Sequence, residues 1–311
     1  MTLSTAIEEF KFHCIYEKNL STKTIKAYDI DLAQFIQFEQ NKDLLIENIE
    51  KDILKKYVQN LFARELKEKS IKRKIATLKA LFNFLEFEEH IEITPFRKLR
   101  LKIKEPKRLP KTVSLKDIRK LLKYMYKLKT NYHDSSIYSY RALVRDIAVI
   151  ELLFSTGVRV AEMCSLTNKN LHIVAGTITI VGKGDKERKI HIPDINIKAI
   201  LREYLELQHS NSTQWLLTNR LGERLSEQSV RFMVKKYCQQ ANIEQHITPH
   251  MFRHSFATLL LEEGVDIRYI QHMLGHASIS TTQIYTQVNL RHQKKILTTK
   301  HPRRFMNLNE G

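Results

Sequence analysis

Apolar residues recur at helical spacing through most of this 311-residue chain, and this periodicity restricts its fold more than any other feature. The stretches "STKTIKAYDIDLAQFIQFE" (21–39) and "SIKRKIATLKALFNFLEF" (70–87) each place their apolar residues on one face. A longer apolar stretch, "RALVRDIAVIELLFSTG" (141–157), stops at a glycine. The patterns predict amphipathic helices in the first hundred residues and a buried helix further on.

A single stretch has the pattern of β-structure. In "GTITIVGKGDKERKIHIP" (176–193), a β-branched run is followed by a Gly-Lys-Gly-Asp turn and an alternating return strand, which predicts an antiparallel hairpin. From Ser226 onward the pattern is helical again. The expected fold class is therefore mainly α, with a small antiparallel sheet in its second part.

Length and proline placement predict two domains. A chain of 311 residues can bury two cores. Prolines at 95, 106 and 110 stand among charged residues with little apolar periodicity, which is typical of a stiff extended linker. We place an all-helical domain at 1–101, a basic linker at 102–112, a mainly α domain at 113–290 and a C-terminal tail at 291–311. Ser114 and Asp117 form a capping box at the start of the second domain.

Charge indicates the kind of partner. Lys and Arg total 52 against 34 Asp and Glu, for a net charge of +18, and residues 97–111 hold eight basic residues and one acid. A second cluster at 291–304 holds six basic residues and no acid. A polyanionic partner and a merely well-solvated surface explain these clusters equally well. Because no apolar run approaches the roughly 20 residues of a membrane span and the N-terminus does not resemble a secretion signal, we expect a cytoplasmic protein.

One helix start combines a histidine and an arginine. In "ITPHMFRHSFATLLLEEG" (247–264), Thr248 suits the N-cap and Pro249 the first helical position, so His250 and Arg253 lie in the first turns. A phosphate would be stabilised there. So short a pattern arises often by chance, and alone it favours a capped helix with an incidental histidine.

Two further cations stand in unusual surroundings. Arg159 lies between apolar runs, three residues before Glu162, which can hold its guanidinium while leaving donors for a ligand. A structural ion pair explains this pair equally well. Lys183 stands in a Gly-rich turn that does not match a nucleotide-binding loop, because a second strand follows it. It can reach a neighbouring site, although a plain surface lysine is the simpler interpretation.

Histidine spacing invites a metal interpretation, which the neighbouring residues disfavour. His250 and His254 are four apart, as are His272 and His276. Zinc peptidase helices place a glutamate directly after the first histidine, where this chain has methionine, and no nearby cysteine supplies another ligand. We therefore predict neither a metal site nor a cofactor site.

Six residues, taken together with the sequence around them, resemble the motifs of a known protein family. The set resembles the tyrosine site-specific recombinases, closest to Xer recombinases and mobile-element integrases: Arg159 in "TGVRVAEM", Lys183 in "GKGDKER", His250 and Arg253 in "TPHMFRHSFAT", His276 in "LGHASISTT" and Tyr285 in "IYTQV". The resemblance covers nearly the whole chain, since the helices at 21–39 and 70–87 look like the family's core-binding domain. One departure is a longer segment near 126–141, which touches no catalytic position.

The resemblance implies a reaction. Tyr285 would attack a phosphodiester of duplex DNA to form a 3′-phosphotyrosine, with Arg159, Arg253 and His276 stabilising the transition state. Lys183 would protonate the leaving 5′-oxygen and His250 would assist proton transfer at the nucleophile. The family further implies a clamp around duplex DNA. It also implies a tetramer, either of this chain alone or shared with a related recombinase, that pairs two DNA recombination sites. Chromosome dimer resolution and mobile-element integration both remain open.

Two alternatives share these features. A helical DNA-binding regulator would show the same charge and would not need Tyr285. A type IB topoisomerase would use the same nucleophile without pairing specific sites. For a tyrosine reaction, nine residues of continuous helix would separate His276 from Tyr285 by about 13.5 Å. The sequence therefore predicts a turn between them, with Gly275 ending one helix and Ser280 capping the next.

Overall fold

The structure is a computed structural model, which describes residues 1–41, 44–97, 99, 101–104, 110–134, 138–182, 187–192, 194–208 and 213–275. The chain divides into two compact units, Met1–Lys107 and Arg108–Gly311. Within the described ranges both units are mainly helical, and the second also holds a small antiparallel sheet. The predicted fold class is confirmed, whereas the limits of the linker at 102–112 stay a prediction.

The described residues of the first unit form four α-helices. They are α1 (Leu3–Phe12), α2 (Thr22–Glu39), α3 (Lys51–Ala63) and α4 (Glu68–Phe87), with a π-helical turn at His13–Glu17 and a 3₁₀ turn at Ile46–Asn48. Helix α4 packs against the other three, and its buried residues include Ile71, Ile75, Leu78 and Leu81, the apolar face seen in the sequence. Ser21 caps α2, since its side chain accepts from the Thr24 N–H.

A buried carboxylate joins α2 to α4. Asp31 accepts hydrogen bonds from Lys74 at 2.9 Å and from Thr77 at 3.1 Å, and it also pairs with Arg73. An unpaired carboxylate at this depth would be costly, so the cations on α4 compensate for its loss of solvent. The basic residues at the start of α4 therefore include some that stabilise the packing of α2 against α4 and some that face solvent.

The second unit is built around one long helix. Its α-helices are α5 (Leu115–Thr130), α6 (Tyr138–Thr156), α7 (Val160–Cys164), α8 (Ile195–Gln208), α9 (Glu227–Gln240), α10 (Pro249–Glu262) and α11 (Ile267–Leu274). Helix α6 packs against α5, α8, α9 and α10, which explains why it is apolar on nearly every side. The predicted stop is confirmed, since α6 ends at Thr156 and Gly157 follows with φ +60°.

Three strands form the sheet in the order β1-β2-β3, all antiparallel. They are β1 (Leu171–His172), β2 (Thr177–Val181) and β3 (Glu187–His191). The predicted antiparallel pairing of the two strands is confirmed, with Val181 paired to Glu187, whereas most of the predicted Gly-Lys-Gly-Asp turn lies outside the described residues. Strand β1 was not predicted, because two residues carry too little periodicity to mark a strand.

The start of the second unit is tied to α10. The Val113 N–H donates to Ser255 Oγ at 2.7 Å, and the same hydroxyl donates to the Val113 carbonyl at 3.0 Å. Gln245 donates from its side chain to the Thr112 carbonyl at 2.9 Å. The chain that enters this unit is therefore fastened to the helix that carries His250 and Arg253.

No helix among the described residues is both long and apolar enough to cross a membrane. Cys14, Cys164 and Cys238 are all buried, and none of the three is in a disulfide.

Candidate active site

Arg159 is presented by a tight turn between two helices. Thr156 ends α6 with its hydroxyl donating to the Leu152 carbonyl at 2.5 Å. Gly157 then adopts a positive φ, and a Cβ there would lie 2.5 Å from Phe256 Cδ1 and 3.0 Å from Leu274 Cδ2. A glycine is required on both counts. The turn places Arg159 at the N-cap of α7, where its side chain is 42% exposed.

Glu162 holds Arg159, as the sequence suggested. Its carboxylate accepts from the Arg159 N–H at 3.0 Å and from Arg159 Nη1 at 2.8 Å. Arg188 on β3 donates to the same carboxylate, from Nη2 at 2.7 Å and from Nη1 at 3.3 Å. Burial would raise the pKa of Glu162, but the hydrogen bonds and charges of Arg188 and Arg159 outweigh it and hold the pKa below its ordinary value. The carboxylate therefore stays charged between two guanidinium groups.

Helix α10 begins as predicted, with Thr248 as its N-cap and Pro249 in its first turn, although the Thr248 hydroxyl makes no capping hydrogen bond. Arg253 is only 2% exposed. It donates from Nη1 to the Gly157 carbonyl at 2.8 Å and from Nη2 to the Leu274 carbonyl at 2.6 Å. The guanidinium thus connects the Arg159 turn to α11.

His250 is exposed, in contrast to Arg253. Its ring contacts that of His254, with centroids 4.4 Å apart and planes at 77°. Burial lowers the pKa of His254 to about 4, and the charges of His250 and Arg253 act in the same direction. His254 is therefore neutral near pH 7 and supports the His250 ring without adding a charge.

Three arginines meet at the carboxyl end of α11. Arg188 Nε donates to the Met273 carbonyl at 2.9 Å, Arg253 Nη2 to Leu274, and Arg159 Nη2 to the Gly275 carbonyl at 3.3 Å. The last carbonyls of a helix lack partners within it and carry partial negative charge, so cations are stabilised there. Three consecutive carbonyls are thus each held by a different arginine, directly before residue 276.

The helix end itself was predicted. Helix α11 stops at Leu274, and Gly275 follows in the left-handed region with φ +65°. The expected turn after it, including the Ser280 cap, lies outside the described residues.

Of the six predicted site residues, the structure describes three. It brings Arg159 and Arg253 together and places His250 on the same helix as Arg253. Lys183, His276 and Tyr285 lie outside the described residues, although β2, β3 and α11 locate the positions next to Lys183 and His276.

Arg188 was missed by the sequence analysis. Strand β3 alternates between exposed and buried residues, and Arg188 occupies an inward position beside the buried Ile190. An arginine on the inward face of a strand needs a partner, so the alternation in "ERKIH" was the signal that could have identified it.

Within the described part of the chain, no group of three or more His, Cys, Asp or Glu side chains is placed to hold a metal ion. The His250–His254 pair is a contact between two rings.

Sequence comparison identifies similar families and relatives. A family model described as "Phage integrase family" matches residues 112–292, and one described as "Phage integrase, N-terminal SAM-like domain" matches residues 7–89. A protein of Agathobacter rectalis named tyrosine recombinase is 44% identical over 308 residues, covering 97% of this chain and 98% of the relative. Tyrosine recombinase XerC of Thermodesulfovibrio yellowstonii is 33% identical, covering 95% of this chain and 96% of its own.

Solved structures share the fold. XerH site-specific recombinase bound to palindromic difH substrate, in a post-cleavage complex, matches with a TM-score of 0.74 at 24% identity, covering 94% of this chain and 84% of that one. A lambda integrase dimer bound to a COC′ core site matches with a TM-score of 0.68 at 17% identity, covering 90% of this chain and 97% of that one.

Proposed function

Since the chain belongs to the phage integrase family of tyrosine recombinases, we propose that Tyr285 attacks a phosphodiester of duplex DNA and forms a 3′-phosphotyrosine. The chain is a site-specific tyrosine recombinase, an enzyme that cleaves and rejoins DNA with a tyrosine nucleophile. The observation that carries our assignment of its site is the meeting of Arg159 and Arg253 at the carboxyl end of α11, next to residue 276.

Charge develops on the non-bridging phosphate oxygens as the pentacoordinate transition state forms. Arg159, Arg253 and His276 are the donors that we assign to those oxygens. The exposed side chain of Arg159 supports its part, because Glu162 fixes one edge of the guanidinium while the group remains accessible. The burial of Arg253 beneath the same helix end favours a fixed, desolvated donor, whose hydrogen bonds are stronger than those of a solvated one.

Two residues are assigned to proton transfer. Lys183, in the segment of sequence that joins β2 to β3, protonates the leaving 5′-oxygen. His250 assists removal of the proton from Tyr285, since an ordinary tyrosine has a pKa of about 10 and is protonated near neutrality. The bond energy is stored in the phosphotyrosine, so rejoining needs no nucleotide cofactor.

The net charge of the chain and its similarity to known recombinases both indicate DNA as its partner. The net charge of +18 suits a polyanion, and the similar structures are of XerH bound to its difH substrate and of lambda integrase bound to a COC′ core site. We propose that the two units of this chain clamp duplex DNA, with the linker at 102–112 crossing the backbone. Four protomers, all of this chain or shared with a related recombinase, would pair two sites in the cytoplasm, and the tail at 291–311 would dock on a neighbour.

Covalent capture tests the nucleophile. Purified protein is incubated with sheared genomic DNA of the source organism, and DNA that stays attached after denaturation is sequenced. Wild type should retain fragments sharing one site, whereas Tyr285→Phe should retain none and still shift the recovered site in a binding assay. Tyr269→Phe is the matched control, because Tyr269 is an exposed tyrosine of α11 and its variant should capture DNA normally.

The same experiment separates the remaining functions. Covalent capture by Tyr285→Phe would contradict the assignment of the nucleophile. Relaxation of a plasmid that lacks the recovered site would indicate a topoisomerase instead. Recovery of one chromosomal locus would indicate dimer resolution, and recovery of element ends would indicate integration.

A further inference from the structure

We propose that Arg188 is a positioning residue for the cleavage step. It holds Glu162 and the carboxyl end of α11 in the relative positions that Arg159 and residue 276 require for catalysis. The inference rests on the proposed function of this site. Arg188 is distinct from the six residues of the proposed catalytic set, and it belongs to a different element, strand β3.

One guanidinium connects two separate parts of the site. Arg188 donates two hydrogen bonds to the Glu162 carboxylate on α7 and a third, from Nε at 2.9 Å, to the Met273 carbonyl on α11. The planar fork of arginine matches a carboxylate with two donors and leaves Nε pointing along the other edge. A lysine ammonium at the end of a flexible stem does not reproduce that fixed geometry.

Gly275 packs directly against this group. A Cβ on Gly275 would lie 2.8 Å from Arg188 Nη1 and 3.1 Å from its Cζ. The chain therefore leaves α11 across the face of the Arg188 guanidinium, in a left-handed conformation with φ +65°. The conformation of Gly275 therefore depends on where that guanidinium lies.

Arg188 acts through its neighbours and not on the substrate. Its Nε, Nη1 and Nη2 atoms all donate to Met273 or Glu162, and its charge is matched by Glu162, whereas Arg159 on the other side of that carboxylate is open to solvent. Without Arg188, the Glu162 carboxylate would retain, among the described residues, only Arg159 as an ion-pair partner. It would draw that guanidinium away from the phosphate position, and the α11 end would be held by two arginines instead of three.

The test uses full-length protein and a nicked suicide duplex that carries the site recovered by covalent capture. Single-turnover cleavage and duplex affinity are measured for Arg188→Gln, Arg188→Lys and wild type. We expect Arg188→Gln to bind within about twofold of wild type and to cleave on the order of 10²-fold more slowly, because a displacement of about 1 Å in a catalytic group has that effect. Arg188→Lys keeps the charge without the fork and should recover only part of the rate.

Two controls separate positioning from loss of stability. Lys189→Gln removes an exposed charge from the same strand and should leave the rate at saturating protein unchanged. Ile190→Val removes a buried methyl group from β3 without touching Glu162. It should lower the melting temperature without a matching loss of cleavage.

A coupling measurement completes the test. If Arg188 acts through Arg159, then Arg188→Gln should slow cleavage much less in an Arg159→Lys background than in wild type. The inference is overturned if Arg188→Gln cleaves at the wild-type rate, or if Ile190→Val, at an equal loss of stability, slows cleavage as much as Arg188→Gln does. It is also overturned if the rate effects of Arg188→Gln and Arg159→Lys multiply in the double variant. Should Arg188→Gln not fold, Arg188→Lys carries the same comparisons. Absence of covalent product with wild type would instead reject the proposed function.

Discussion

Glu162 keeps its charge although its side chain is only 10% exposed, because Arg159 and Arg188 both donate to it. Its pKa is lower in the folded protein than in the unfolded chain. A lowered pKa contributes stability above the unfolded value of about 4.3, and this contribution is lost as the pH falls through the folded value. The pair of guanidinium groups is therefore a source of stability at neutral pH that acid removes.

We predict that Glu162→Gln lowers the free energy of unfolding by roughly 1.5–3 kcal/mol at pH 7, the range for hydrogen bonds to charged groups. The difference from wild type should be constant above about pH 6 and should shrink as the pH falls below about 4, because wild type then also loses the charge. Urea unfolding at a series of pH values measures it. A difference that does not change with pH would show that the charge of Glu162 is not the stabilising feature.

Single residues of the site were partly predictable. Arg159 and Glu162 are three apart in sequence, so their pairing follows from the local geometry of a helix start, with Arg159 at the N-cap and Glu162 at the third helical position. The contacts of Arg188 with Glu162 and of Arg253 with Gly157 span 26 and 96 positions. No local pattern encodes such separations, which is why the sequence named Arg253 without its carbonyl partners and did not name Arg188.

Helices meet closely around the turn that carries Arg159, and Gly157 makes that approach possible. Gly157→Ala should be strained in two ways, because φ is +60° and the new methyl group would overlap the Phe256 ring. Gly222 is a matched control, since it has φ +79° but no atom within 4 Å of its missing Cβ. We predict that Gly222→Ala costs about 1–2 kcal/mol from backbone strain alone, and that Gly157→Ala costs more and also slows cleavage.

Thermal unfolding and single-turnover cleavage of the two glycine variants measure this difference. Equal stability losses would show that α10 and α11 can move apart without cost. Normal cleavage by Gly157→Ala would show that the turn does not position Arg159.

Helix α10 is fastened to the entering chain by one hydroxyl, which both accepts from and donates to the backbone of Val113. Ser255→Ala should leave a buried backbone N–H without its partner and lower the free energy of unfolding by about 1–3 kcal/mol. Hydrogen exchange at the Val113 amide should rise correspondingly. Ser229→Ala, which removes an exposed hydroxyl from α9, should change neither quantity measurably. An unchanged Val113 exchange rate in Ser255→Ala would contradict the anchoring role.

Most elements were predictable because their signals are local. The cap at Ser114, the proline at the start of α10 and the glycines after α6 and α11 each mark a boundary within a few residues. Strand β1 is defined by its pairing with β2 instead of by its own sequence. The Ser255 anchor joins residues 142 positions apart. Contacts of this kind depend on the packed structure and have no counterpart in periodicity.

Each unit has a large hydrophobic core, and a third, small cluster of Ala257, Ile270 and Leu274 adds to them among the described residues. The whole chain also carries a large excess of positive charge. In the first unit, a groove of about 370 Å³ lies between α4 and the chain after it, and four lysines are among its lining residues, namely Lys72, Lys79, Lys102 and Lys104. Lysines beside a groove can neutralise DNA phosphates without reading base sequence. If the linker contacts DNA as proposed, the lysines of this groove should contribute to the salt dependence of DNA affinity.

We predict that replacing Lys102 and Lys104 together with glutamine weakens DNA binding and lowers the slope of log affinity against log salt by about one for each phosphate that the variant no longer neutralises. Cleavage at saturating protein should be unchanged, because phosphate contacts outside the active site position the duplex without entering the reaction.

The control replaces Lys11 and Lys55, which already pair with Asp29 and Asp52, so net charge falls by the same amount. If both double variants change the slope equally, the effect belongs to overall charge and not to the groove. Fluorescence anisotropy titrations from about 50 to about 200 mM salt on one duplex distinguish these outcomes.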